Sequence, residues 1–422
     1  MRFSRQIMTV EEALRRLLDR LAAKDAEEVE LGESYGRILA RDIVATCDMP
    51  PFDRSPLDGY AVRAADTAEA SVDRPVYLQV VETVAAGEVP RVSVGAGCAT
   101  RIMTGAMMPE GADAVIMFEQ TENPGQLAEK VGVKRALRSG ENVSRRGEEI
   151  AEGSVVVRAG ERINAGTIAL LATFGYSRVS VIRKPRVGLL ATGIELVAVD
   201  QPLAQGKIRN SNTPMLSALV SEAGGVPRVF PVLPDEPVAA KEALAACVKE
   251  VDLLISSGGV SVGDFDVIAS LVDDADVELL FNRIAMRPGS PTTALLLAGK
   301  PVLALSGNPA ACFVGFELFA RPALQRLGGQ AHAGYRSIRA RLASSYEKPC
   351  PHPRYMRGRL VQEDGMLLAQ PDLNDRAGNL GTLKDSECLI VIPPGGRGKQ
   401  AGELVEVIVH ADSRLSFGGV EA

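Results

Sequence analysis

Histidine is scarce: the 422 residues hold three, His332, His352 and His410, and none lies near a glycine-rich segment. A Ser-His-Asp triad or a histidine metal site is thereby left without its raw material. The six cysteines, Cys47, Cys98, Cys247, Cys312, Cys350 and Cys388, stand singly with no C-x-x-C spacing. That excludes a zinc knuckle and a disulfide framework, and fits reduced thiols in a cytoplasmic protein. No stretch approaches the roughly 20 uninterrupted apolar residues of a bilayer span, and the N-terminus lacks the charged, apolar and small-residue succession of a secretory leader. The sequence therefore predicts neither membrane insertion nor export. A net charge of -6 with no compensating basic face argues against general nucleic-acid binding. An anionic ligand must then be met by local arginines or backbone amides. Internal repeats and low-complexity segments are also missing.

Apolar residues make up 46% of the chain and charged residues 24%, which suits a soluble globular protein with sizeable cores. At this length a single core has stopped growing, so two to four domains are expected. Thr9-Val10-Glu11-Glu12 reads as a capping box, and Val10, Ala13, Leu14, Leu17, Leu18 and Leu21 follow at helical spacing. After Arg41 short apolar runs broken by glycine and proline indicate a β-rich domain up to about Glu149. It is inserted, because a second helical stretch, INAGTIALLATFGY, comes after it. From Pro185 to about Leu327 apolar strands alternate with helices, and DLLIS is continuously apolar, as central parallel strands are. Alternating strands such as RYMRGRLV and GELVEVIVH close the chain.

The predicted fold class is α/β plus β, multidomain. Residues 1–46 together with 151–183 form an elongated helical linker, 47–150 the inserted β-rich domain, 184–330 a doubly wound α/β domain and 331–422 a C-terminal β domain.

Ligands of doubly wound sheets sit beyond the carboxyl ends of the strands. There the segment Ser256-Ser257-Gly258-Gly259-Val260-Ser261-Val262-Gly263 follows the strand VDLLI, and its amides and hydroxyls suit an oxyanion or phosphate. A tight strand-to-helix turn explains the glycines but not three hydroxyls. The spacing is neither the dinucleotide fingerprint nor a Walker motif, which disfavours a nicotinamide-dependent oxidoreductase. A second loop, Leu305-Ser306-Gly307-Asn308-Pro309, opens a helix whose free amides and dipole attract anions. Glu195, Asp235, Asp264 and Asp266 fall beside these loops. Taken together they offer the hard oxygens that Mg²⁺ prefers against phosphates; taken singly, each is as readily a helix cap. In the inserted domain, FDRSPLDGYAV, RIMTGAMMPEGADAV and SRRGEEI read on their own as ordinary β-turns and a solvated charged face.

In this order, MPPFDRSPLDGYAVR, RIMTGAMMPEGADAVIM, SRRGEEI, VGLLATGIEL, SSGGVSVGDFD, MRPGSP and LSGNPAACFVGFELFARPAL resemble the molybdopterin molybdenumtransferase family, which includes one half of gephyrin. The match is collinear from the first helix to about Leu327; the last domain matches in placement and size. The resemblance implies a homodimer of four-domain subunits, with a molybdopterin-binding-like α/β domain facing the partner's inserted domain across the active cleft. It also implies that molybdate is inserted into adenylylated molybdopterin with Mg²⁺ assisting and AMP leaving, and that a molybdopterin adenylyltransferase supplies the substrate.

Carried over position by position, Asp58 stands in the S-x-x-D-G-Y motif, Thr104 in R-I-M-T-G, and Glu149 where the R-R-G-E-D motif has Asp. Glu195, Asp235 and Asp266 match the acidic, metal-holding positions of the α/β domain. Ser257, Gly258, Gly259, Ser261, Gly307, Asn308 and Pro309 belong to the ligand loops, and Arg283 and Arg287 fall where basic residues meet anionic ligand. Ser290 replaces the lysine of P-G-K-P, Ile194 the Asp of T-G-D-E-L, and LSGNPAA stands for L-P-G-N-P-V-S. In the last domain HPRY stands for G-R-P-E, and LGTLKDSE for a serine-rich stretch that bears on molybdate. Serine offers a neutral donor where lysine offers a mobile cation. A non-catalytic paralogue that binds pterin or partner proteins is the alternative reading, and a hydrolase on the same scaffold a third.

Overall fold

The structure is a computed structural model that describes residues 7–122, 129–233, 237–258, 276–372, 374, 376, 378–410 and 416–417. Helix α1 (Val10–Leu18) begins at the expected box: the Glu12 amide donates to Thr9 Oγ1 at 3.2 Å and the Thr9 amide to Glu12 Oε2 at 3.1 Å. Its buried stripe of Val10, Ala13 and Leu17 packs with Leu280, Phe281, Phe319 and Leu324. The helix grouped with the linker from sequence thus adds to the α/β core. Met8 extends this docking, donating to Arg283 O at 3.1 Å and accepting from the Ala285 amide at 2.7 Å.

Strands β1 (Ala26–Glu30) and β2 (Ile43–Val44) lead into the inserted domain. There β3 (Gly59–Val62), β4 (Val76–Val84), β5 (Cys98–Ile102), β6 (Ala114–Met117), β7 (Thr121–Glu122) and β8 (Lys130–Val133) form one sheet, ordered β6-β3-β5-β4-β8-β7. Tyr60, Val62, Leu78 and Ile116 fill its core. The chain returns through β9 (Val155–Val157), α2 (Ala165–Thr173) and β10 (Arg178–Ile182). β2 pairs with β9 and β1 with β10, both antiparallel. The linker expected to be helical is therefore built on two short ribbons and one nine-residue helix, which Asn164 caps by accepting from the Thr167 amide at 2.9 Å.

The α/β domain holds β11 (Arg186–Ala191), the short parallel pair β12 (Leu196–Val197) and β13 (Ile208–Arg209), α3 (Asn212–Glu222), β14 (Val226–Val229), α4 (Pro237–Lys249), β15 (Leu253–Ser257), β16 (Val277–Phe281), β17 (Thr293–Leu297) and β18 (Lys300–Leu305). The main sheet runs β14-β11-β15-β18-β17-β16. Its first four strands are parallel, and β17 is antiparallel to both neighbours. Doubly wound order thus holds at the centre, with an antiparallel margin turned at Ala298 and Gly299, both at positive φ. Alternation along the strands shows why the Leu253-Leu254-Ile255 run is apolar. Leu253 and Ile255 enter the core shared with α1 and α3, while Leu254 enters a second core with Leu244 and Val248 of α4. Both faces are covered along this run, and polar side chains, Ser256 and Ser257, enter only at the carboxyl end of the strand.

A helix opening at Pro309 (Pro309–Gly315) continues through a π turn, Phe316–Ala320, into Arg321–Leu327. The C-terminal unit contains β19 (Arg336–Leu342), β20 (Arg354–Glu363), β21 (Met366–Pro371), β22 (Cys388–Ile392), β23 (Leu404–Val409) and β24 (Ser416–Phe417). Pairing runs β21-β19-β23-β22-β20, and β20 pairs again with β21. The sheet closes into a five-stranded barrel around Leu342, Met356, Leu360, Ile390 and Val407.

Polar joints hold the units together. Asp252 accepts from Arg183 at 2.7 and 2.9 Å and from the Arg186 amide at 2.8 Å, with Lys24 at 3.5 Å. Burial would raise its carboxyl, but the Arg183 and amide bonds and the two cations bring it down to about 2. Among the described residues no helix is long and apolar enough to cross a membrane.

Candidate functional site

Two polar centres emerge, one on the inserted sheet and one at the strand ends of the α/β domain. β3 and β5 are antiparallel with Gly59 opposite Ile102, so the residue before β3 and those after β5 meet at one end of the sheet. There Asp58 Oδ1 accepts from the Thr104 amide at 2.7 Å and from Thr104 Oγ1 at 2.8 Å. Those two bonds, the amide first, hold the Asp58 carboxyl below its ordinary value, helped by the charge of Arg101. Both side chains are exposed, and the aspartate stays ionised facing outward.

Glu149 accepts from Arg54 Nη2 at 3.1 Å. The neighbouring arginines are already matched: Arg145 with Asp53 at 2.8 Å and Arg146 with Asp48 at 2.6 Å. This end of SRRGEEI is a set of ion pairs on the surface.

In the α/β domain three strand-end loops converge on one side chain that sequence reasoning did not single out. Asn212, the first residue of α3, donates from Nδ2 to Ser257 Oγ at 2.6 Å and to Gly307 O at 2.8 Å. A carbonyl only accepts, so the amide orientation is fixed, and Asn212 Oδ1 is left a buried acceptor without a partner. Gly258 follows β15 with φ +91° and donates to Leu305 O at 3.0 Å. A Cβ there would lie 2.6 Å from Thr192 Oγ1 and 3.0 Å from Thr192 O. Only glycine lets β15 turn this close to the loop after β11. Asn308 precedes the Pro309 helix in extended conformation, its amide donating to Ser306 Oγ at 3.3 Å. The first-turn amides of Ala310 and Ala311 have no intrahelical acceptor by position. Gly378 of the barrel approaches this loop, an added Cβ lying 3.9 Å from Asn308 Oδ1.

Glu195 lies exposed after the Gly193 turn (φ +137°), its carboxylate folded over that glycine: a Cβ on Gly193 would be 2.5 Å from Oε2. Gly259, Ser261, Asp235, Asp264 and Asp266 lie outside the described residues. Among the described residues no group of three His, Cys, Asp or Glu side chains is placed to hold a metal ion.

Arg283 and Arg287 are exposed on the loop after β16. Its backbone is pinned to the barrel: the Arg287 amide donates to Pro353 O at 2.9 Å, and the Tyr355 amide to Arg287 O at 2.8 Å. Ser290 Oγ donates to Ile284 O at 2.7 Å and Ser290 O accepts from the Ile284 amide at 2.8 Å. The serine clasps its own loop instead of presenting a donor outward. No described hydrogen bond or ion pair joins the Asp58 centre to the Asn212 centre.

Models of the MoeA N-terminal region (domain I and II), of a probable molybdopterin binding domain and of the MoeA C-terminal region (domain IV) match residues 8–175, 188–326 and 339–410. A molybdopterin molybdenumtransferase of Bacillus subtilis (strain 168) is 43% identical over 403 residues, 95% of this chain and 93% of the relative. The chain belongs to the molybdopterin molybdenumtransferase family. A namesake in Staphylococcus aureus (strain MSSA476) is 39% identical, covering 96% of each chain. The molybdopterin biosynthesis MoeA protein of Pyrococcus horikoshii OT3 superposes with a TM-score of 0.82 at 33% identity, over 96% of this chain and all of that one.

Membership gives the Ser290 clasp a direct test. In this family member Ser290→Lys exchanges an internal hydrogen bond for a cation beside Arg287, and molybdate affinity, followed by calorimetric titration, is expected to rise severalfold. Unchanged affinity would show that position 290 does not face the oxyanion.

Proposed function

We propose that this chain is a transferase of molybdenum-cofactor biosynthesis that inserts molybdate into adenylylated molybdopterin and releases AMP. The observation that carries this reading is the convergence of the loops after β13, β15 and β18 on Asn212. It brings Gly258 and Gly307 side by side at the carboxyl ends of parallel strands, the place where such sheets bind phosphate-bearing ligands. Gly307 and the first-turn amides after Pro309 hold the phosphate and adenylate part, with Gly258 turning the chain beside them and Ser257 oriented by Asn212. Arg283 and Arg287 meet the anionic charge from the barrel side.

Mg²⁺ belongs to this proposal. Glu195 fits it through an exposed hard-oxygen carboxylate at the strand-end turn, and Asp235 and Asp266 would complete the set. When bound, the ion neutralises charge on the phosphate oxygens. The protein's own contribution is to fix the phosphate on backbone amides and to keep Asp58 ionised and aimed by Thr104.

Asp58 and Thr104 share no described contact with the crevice of their own chain, which supports a homodimer in which they face the partner's α/β domain. A cytoplasmic location, delivery of substrate by a molybdopterin adenylyltransferase, an insert at 47–150 and an α/β unit of 184–330 enlarged by α1 complete the reading.

The test is AMP release from adenylylated molybdopterin with and without molybdate and Mg²⁺. Release that needs both ions and is lost in Asp266→Ala is expected; binding without release would leave a pterin-binding protein. Asp58→Asn is expected to slow release by about tenfold to a hundredfold with little change in thermal stability. Mixing Asp58→Asn and Asp266→Ala subunits is expected to restore part of the activity. No restoration would count against a cleft shared between subunits.

A further inference from the structure

A cleft of about 500 Å³ opens where the linker, the α/β domain and the barrel meet. Six cations line it, Arg37, Arg162, Arg183, Lys184, Arg321 and Arg336, against two carboxylates, Glu222 and Glu317. Six less two leaves the lining at +4, in a chain whose net charge is -6. Both carboxylates are taken by Arg321, at 2.8 Å each. Arg37 pairs with Glu27 and Arg183 with Asp252. Arg162, Lys184 and Arg336 are exposed and have no carboxylate partner among the described residues. Arg162 lies across bare backbone: a Cβ on Gly36, itself at φ +76°, would be 3.6 Å from Nη2. On the barrel side Tyr335, whose hydroxyl burial pushes up to about 12, stays a proton donor at neutral pH.

We infer that this cleft is a second anion site, distinct from the strand-end crevice, for a small phosphate-bearing molecule carrying two or more negative charges. Three uncompensated cations gathered in one concavity repel each other, and a multivalent anion reverses that term. Guanidinium forks match phosphate oxygens in geometry as well as charge. The volume lies in the range of small-molecule sites. The three free cations come from different places, Arg162 from the linker, Lys184 from the β10–β11 junction and Arg336 from the first position of β19. A bound anion therefore ties linker and barrel to the α/β domain at once.

The probes are pyrophosphate and AMP, titrated calorimetrically into the full chain at roughly 0.15 M salt, where exposed charges more than about 8 Å apart are screened. Gly258→Ala, which displaces the loop after β15 against Thr192, is the background, so failure of the transferase reading does not affect the outcome. Saturable pyrophosphate binding is expected to persist in that background. It is expected to weaken at least roughly tenfold when Arg162→Ala, Lys184→Ala and Arg336→Ala are added, with the ligand-free melting temperature no lower than before, because all three side chains are exposed and their mutual repulsion is relieved. AMP binding with the same loss assigns the site to nucleoside phosphates; pyrophosphate binding without AMP assigns it to polyphosphates. No saturable binding of either probe, or equal affinity after the three substitutions, overturns the proposal.

Discussion

Gly258→Ala is expected to lower molybdate-dependent AMP release by about a hundredfold or more, the scale set by a 1 Å displacement of a binding loop. Two independent obstacles meet at this position. The backbone sits at φ +91°, where a side chain costs about 1–3 kcal/mol. An added Cβ also falls 2.6 Å from Thr192 Oγ1 and 3.0 Å from Thr192 O. The loop must move, and with it the Ser257 hydroxyl that Asn212 holds. Thr192→Ala in the same chain removes the hydroxyl obstacle but neither the backbone contact nor the torsion, so it is expected to return only part of the activity. Single-turnover AMP release beside a thermal melt makes the comparison. Activity within a few-fold of the parent in a normally folded Gly258→Ala protein would place the ligand elsewhere.

The second large effect is on stability. Arg321 donates from Nε and Nη2 to the two oxygens of Glu317, and from Nη2 to Glu222, all at 2.8 Å, in the helix that docks against the barrel. Glu317 is 3% exposed and has His410 Nδ1 at 3.5 Å. Arg321→Met leaves that carboxylate short of its main counter-charge, at an expected cost of about 3–5 kcal/mol in denaturant unfolding. Pairing it with Glu317→Leu removes the stranded charge as well, so the double variant is expected to be more stable than the single one. A double variant less stable than Arg321→Met would mean that the charges themselves hold the joint.

The same pair sets a pH dependence. Burial pushes the Glu317 carboxyl up, yet the nearby His410 ring and the Arg321 bonds and charge overcome it and bring the group from 4.5 to about 2. A depressed carboxylate contributes stability that is fully present above its unfolded value and is lost as pH falls through its folded one. The parent is therefore expected to lose stability between about pH 4.5 and pH 2, and Glu317→Gln to show a flatter profile over that window.

Much of this architecture could be read from local pattern. The Thr9 box and the apolar run of the DLLIS strand are short-range signals, and both elements formed where their spacing placed them. What stayed hidden depends on chain segments far apart in sequence. The stripe of α1 announces an apolar partner but not which one, and Leu280, Phe281 and Phe319 lie some way off in the chain. The ribbons β1–β10 and β2–β9 are too short for alternation to register, so the linker looked helical by its one clear helix. Asn212 precedes Thr213-Pro214 and looks like a helix cap; only the approach of Ser257 and Gly307 reveals a second use. SRRGEEI reads as a solvated charged face, but its partners Asp48 and Asp53, which pair with Arg146 and Arg145, sit nearly a hundred positions earlier and leave no local signal.

The closed C-terminal barrel carries one more consequence. An open sheet presents rows of unpaired amides and carbonyls to which another chain can add a strand. Here β20 returns to β21 and β21 to the end of β19, so the border left open is short: residues 336–340 of β19, which pair with β23 alone, and the two residues of β24, which pair with β20 alone. Away from those two stretches, whatever docks on this unit must read its side chains and loops, a vocabulary that substitutions can rewrite without disturbing the backbone ladder beneath.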